Sequence, residues 1–120
     1  MAMIQMKRVY EEVSDQDGRR VLVDRVWPRG VSKEKAQLDE WMKEVAPSPD
    51  LRKWFGHRQE RFEAFKESYE KELAESTERQ EAVEKLRDWE DGQTVTLVYA
   101  AKDQEHNHVV VLRDFVKHNA

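Results

Sequence analysis

The chain alternates between short runs with the two-residue period of a strand and long runs with helical period. Ile4-Gln5-Met6-Lys7-Arg8-Val9 alternates as a strand, and Val21-Leu22-Val23-Asp24 is a β-branched run of the kind buried on both faces. Asp17-Gly18 between them is a turn signal. Asp91-Gly92 announces a third strand, Thr94-Val95-Thr96-Leu97-Val98-Tyr99. The residues between the second and third strands are mostly helical in pattern, which suits an α/β sheet crossed over by helices.

Helix signals are strongest in that middle stretch. Ser48-Pro49-Asp50 supplies an N-cap hydroxyl, a first-turn proline and an acidic residue facing the positive end of the helix dipole, and Gly56 supplies the stop. Phe62, Phe65, Tyr69 and Leu73 then recur at three- and four-residue steps, predicting an amphipathic helix over residues 58–75. Thr77-Glu78-Arg79-Gln80 fits a capping box for a further helix with Val83, Leu86 and Trp89 inward. Residues 37–45 read either as strand or as helix. Asp103 is the expected cap of a last helix carrying Val109, Leu112, Phe115 and Val116, although residues 108–112 also have strand propensity.

Composition narrows the class. At 120 residues the chain is expected to be a single domain spanning 1–120, with 38% hydrophobic residues to fill its core. Without cysteine, disulfide, iron–sulfur and Cys-type zinc chemistry are excluded. No run is apolar enough for a signal peptide or a membrane span, so the expected location is the cytoplasm and no membrane partner is expected. The net charge of −4 is unevenly spread: residues 59–91 hold twelve acidic and six basic residues, so the remainder is mildly basic. That remainder is too weakly basic to favour nucleic acid, and no helix-turn-helix with a basic face is visible.

In open α/β sheets ligands bind beyond the carboxyl ends of the strands, which selects two loops. In the first, Arg25 and Arg29 offer guanidinium forks for carboxylate or phosphate, Asp24 can orient one of them or take a proton, and Trp27 offers a flat face. The bland alternative pairs Asp24 with an arginine and packs Trp27 in the core. In the second, His106 and His108 flank Asn107 at the expected start of the last helix, where free N–H groups attract anions, and Lys102 adds charge. Either histidine can act as acid or base near neutrality, or both are simply exposed. His-x-His lacks a third metal ligand, so no metal site is assigned. Tyr99 is a candidate to reach into the crevice. His57, just beyond Gly56, serves either the helix terminus or a ligand. No P-loop, Gly-x-Gly-x-x-Gly or Gly-x-Ser-x-Gly pattern is present, and no cofactor is identified.

Three strings together, residues 21–33, 46–57 and 98–108, resemble the YeaO-like proteins, a bacterial and archaeal family within the domains of unknown function DUF488. The resemblance spans nearly the whole chain. It implies a compact Rossmann-like α/β domain of three layers with a short, mostly parallel sheet, and it brings no established activity. Where the wider group has a Cys-His-Arg-type motif, this chain has Glu105-His106-Asn107-His108, which excludes thiol chemistry there. The leading expectation is a cationic pocket at the strand ends, belonging to an enzyme that acts on an anionic small molecule, nucleotide-like or phosphorylated. Asp24, His106 and His108 would move protons, and Arg25, Arg29, Trp27, Tyr99, Lys102, Asn107 and His57 would bind. The alternative is a non-catalytic module for a small molecule or a protein, and a nucleic-acid-binding regulator ranks below both.

Overall fold

A computed structural model describes residues 3–118. The strands are β1 (Ile4–Arg8), β2 (Arg19–Leu22), β3 (Glu40–Trp41) and β4 (Val95–Tyr99), in the order β1-β4-β2-β3 and all parallel. The helices are α1 (Lys33–Ala36), α2 (Pro49–Phe55), α3 (Phe62–Glu75), α4 (Thr77–Gly92) and α5 (His108–His118). The alternation of β4 sorts its two faces. Val95, Leu97 and Tyr99 join Phe65, Tyr69, Leu73, Leu86, Val109 and Leu112 in the main core, under α3, α4 and α5. Val98 lies on the other face with Leu22 and Ala36, flanked by Trp27, Val31 and Trp41. The result is a Rossmann-like sheet between a thick helical layer and a thin one of loops and α1.

The strand predictions hold to within two residues, while Val23 and Asp24 lie just beyond β2; the Val23 N–H still donates to Val98 O at 3.1 Å. Residues 37–45 become the two-residue β3 and a 3-10 turn, because Met42 N–H bonds Leu22 O and draws this segment against β2. Ser76, one residue before the expected Thr77, caps α4 by accepting from Arg79 N–H. Residues 59–61 form a 3-10 turn ahead of α3 rather than its first turn. At the last helix the expected cap is also displaced. Asn107 Oδ1 accepts from the N–H groups of Val109 and Val110 at 2.8 and 3.1 Å, while Asp103 closes the preceding turn.

The last strand in sequence sits between the first two, so residues 9–18 must carry the chain from β1 to β2 past β4. Asp17 anchors this link. Its carboxylate accepts from Lys7 Nζ and Arg20 Nη1, both at 2.7 Å, and from Ser14 N–H, while its carbonyl accepts from Thr96 Oγ1. Arg20 also donates to the Ala36 and Gln37 carbonyls. Burial alone would raise the Asp17 carboxyl, but these donors and cations hold it below the usual carboxylate range. The next residue is confined as well: Gly18 has φ +63°, and a Cβ there would lie 2.2 Å from Thr94 O.

Asp17→Asn leaves Arg20 buried without its counter-charge, so urea unfolding at neutral pH should show a loss of about 3–5 kcal/mol. A depressed carboxylate stabilises above its unfolded pKa and loses that contribution as pH falls through the folded value. The difference between wild type and Asp17→Asn should therefore shrink in acid. A constant difference down to strongly acidic pH would contradict this assignment.

Candidate functional site

Because β2 and β4 are parallel neighbours, the loops that leave their carboxyl ends start side by side at one end of the sheet. They wall a cavity of about 630 Å³, completed by Tyr10, the 46–47 segment and the end of α2. Its polar lining is Asp24, Arg25, Arg29, Arg52, His57, Lys102, Asp103, Asn107 and His108. Phe55 and Phe65, stacked at 4.3 Å, lie beneath it.

Asp24 joins the two strand ends. Its Oδ2 accepts from Ala100 N–H at 2.9 Å, its carbonyl accepts from Trp41 Nε1 at 2.7 Å, and Oδ1 lies 3.4 Å from His108 Nε2. His108 Nε2 lies 3.0 Å from the Val23 carbonyl, which can only accept, so Nε2 carries the proton. Burial pushes the His108 imidazole below its ordinary value, against the opposing pull of Asp24 and the Val23 carbonyl. Burial likewise raises the Asp24 carboxyl, against the pull of His108, Ala100 N–H, Arg52 and His57. The pair is thus biased toward its uncharged form.

The cations are held less fully. Arg25 Nη2 donates to Pro47 O at 3.3 Å, while Arg25 Nε is buried with no partner among the described residues. Arg29 and Lys102 are exposed at the rim, and Arg52 extends from α2 toward the Asp24 end. Asp103 accepts from the Glu105 and His106 N–H groups and from Gln59 Nε2, and its carboxyl is held down to about 2, chiefly by those backbone donors.

Several expected residues are placed differently. Trp27 lines the cavity, but its Nε1 donates to Val31 O at 2.7 Å and its ring meets Trp41 edge-on, so it forms a braced wall. Asn107 lines it too, with its amide committed to capping α5, so the helix start offers fewer free N–H groups to an anion than expected. His106 lies outside the lining: Nδ1 is within 3.1 Å of Asp103 Oδ2 and the ring packs on Phe62. Tyr99 also lies outside it, because strand alternation turns its side chain into the helical core. Arg52 and Tyr10 are lining residues that sequence reasoning missed. Arg52 reads as a solvated helix position, whereas the strand-end rule, applied to β1, points to Tyr10.

Among curated proteins, the chain is 43% identical to "Uncharacterized protein YeaO" of Escherichia coli (strain K12) over 114 residues, covering 95% of this chain and 96% of that one. It is 40% identical over 109 residues to "Uncharacterized protein Mb3100c" of Mycobacterium bovis, covering 91% and 89%. "Uncharacterized protein Rv3073c" of Mycobacterium tuberculosis H37Rv matches at the same identity and coverage. A family model described as "DUF488-N3i: Inactive DUF488-N3 subclade" matches residues 3–120. No solved structure matches.

In a pH titration followed by ring 15N shifts, His108 should keep its neutral Nε2–H form below about pH 6.5, the ordinary histidine range. Asp24→Asn should lower its pKa further, because it removes the charge that supports the imidazolium. A histidine held below its unfolded value stabilises at high pH and loses that contribution as pH falls, and the raised Asp24 contributes with the opposite slope. A wild-type His108 that protonates above the ordinary range would contradict the arrangement.

Proposed function

The chain belongs to the DUF488 family, in its YeaO-like branch, and we propose that it is a binding module that holds a small anion at the strand ends without transforming it. The observation that carries this reading is the charge surplus of the cavity. Arg25, Arg29, Arg52 and Lys102 line it against two carboxylates, and both carboxylates are engaged by donors of the protein itself. Much of the wall is apolar, which strengthens each ionic contact by excluding water.

The chemistry of the lining supports binding over turnover. No serine, threonine or cysteine lines the cavity among the described residues, and His108 Nε2–H is already given to Val23 O. The description of the matching subclade as inactive agrees with that. A second reading, proton transfer, rests on the Asp24–His108 pair, because carboxyl and imidazole groups shifted by burial beside a cavity also occur where catalysis is done.

Calorimetric titration with phosphorylated and carboxylated metabolites tests the proposal. At least one small anion should bind, and Arg52→Ala and Arg29→Ala should each weaken it by about 1.5–3 kcal/mol, roughly ten- to a hundredfold in Kd. The ligand should be recovered chemically unchanged after prolonged incubation. Binding that is indifferent to both arginines contradicts the site. A ligand recovered altered, with the change lost in His108→Gln while binding persists, favours the catalytic reading.

A further inference from the structure

Resting on the reading of the cavity as an anion site, we propose that Tyr10 is its ring platform, so that the ligand is an anion joined to a flat aromatic ring. Tyr10 is 52% exposed and lines the cavity, so its ring is open to a ligand there. It is also fixed in place. Its hydroxyl donates to Arg29 O at 3.1 Å, and the Arg8 guanidinium lies over the ring at 5.1 Å from its centre. Arg8 is itself pinned, Nε to Ala101 O at 2.9 Å and Nη2 to Ala100 O at 3.2 Å. Tyr10 is thus tied to the first strand-end loop through its hydroxyl and to the second through Arg8. No second aromatic ring packs against it among the described residues.

A ring held this way loses little freedom on binding, and a flat ligand ring can stack on the part of it that remains exposed. Trp27 is less suited to that part, because its indole N–H and one edge are engaged by Val31 and Trp41. The neighbouring Val26, 56% exposed, extends the apolar lip along which the ring would lie. Tyr10 sits beside Arg29 in this lining, so ring and anion recognition adjoin.

Adenosine monophosphate and ribose 5-phosphate make a matched pair, alike in sugar and phosphate and different in the ring. Wild type should bind the nucleotide at least about tenfold more tightly than the sugar phosphate, the scale of one base stacked on an aromatic. Tyr10→Leu should bring nucleotide affinity down to that of the sugar phosphate and leave the latter unchanged. Tyr10→Phe should keep the preference, and since Tyr10 is exposed both variants should melt close to wild type. Equal binding of the two ligands by wild type overturns the platform alone. So does a preference that survives in Tyr10→Leu and disappears in Trp27→Leu. If neither ligand binds wild type while another phosphorylated or carboxylated metabolite does, the platform falls and the anion site stands; if no anion of that wider set binds, both fall.

Discussion

One partly buried carboxylate, Asp24, ties the carboxyl end of the sheet together. It sits two residues past the end of β2, takes the first free N–H beyond β4, faces the first residue of α5 and receives the indole of Trp41 on its carbonyl. Four elements meet through one residue. A carboxylate withdrawn from water is costly, and His108, the Ala100 N–H, Arg52 and His57 oppose the rise that burial imposes on the Asp24 carboxyl. The cations at the cavity outnumber its carboxylates, and the proposal of an anionic ligand rests on that surplus.

Asp17 shows the same residue type under the opposite regime. At the start of β2 it contacts Lys7 and Arg20 at 2.7 Å, and its carboxyl is held down. Asp24 meets a histidine that burial keeps neutral-leaning, at 3.4 Å, and its carboxyl is pushed up. The first arrangement is a closed ion pair network that fastens the β1–β2 link. The second is biased toward its uncharged form and lines the cavity.

Much of the fold was legible in the residues. The runs at 4–9, 21–24 and 94–99 and the Ser48-Pro49 helix start use signals of local physics, which the folded chain preserves. Caps moved where a better-placed oxygen was one or a few residues away, as Ser76 and Asn107 show. The order β1-β4-β2-β3 and the brief pairing of Glu40–Trp41 depend on contacts distant in sequence, which no local pattern encodes. The lining of the cavity follows the same division. Asp24, Arg25, Arg29, Lys102 and His108 were found from the strand-end rule, while the inward turn of Tyr99 and the arrival of Arg52 from α2 depend on strand alternation and helix docking.

The most direct measurement is the position of an anion. A crystal soaked with selenate, measured at the selenium absorption edge, should show an anomalous peak within hydrogen-bond distance of Arg25 and at least one of Arg29, Arg52 and Lys102. The account predicts that this is the strongest ordered anion on the molecule. Selenate found only elsewhere on the surface, and none at the cavity, would contradict it.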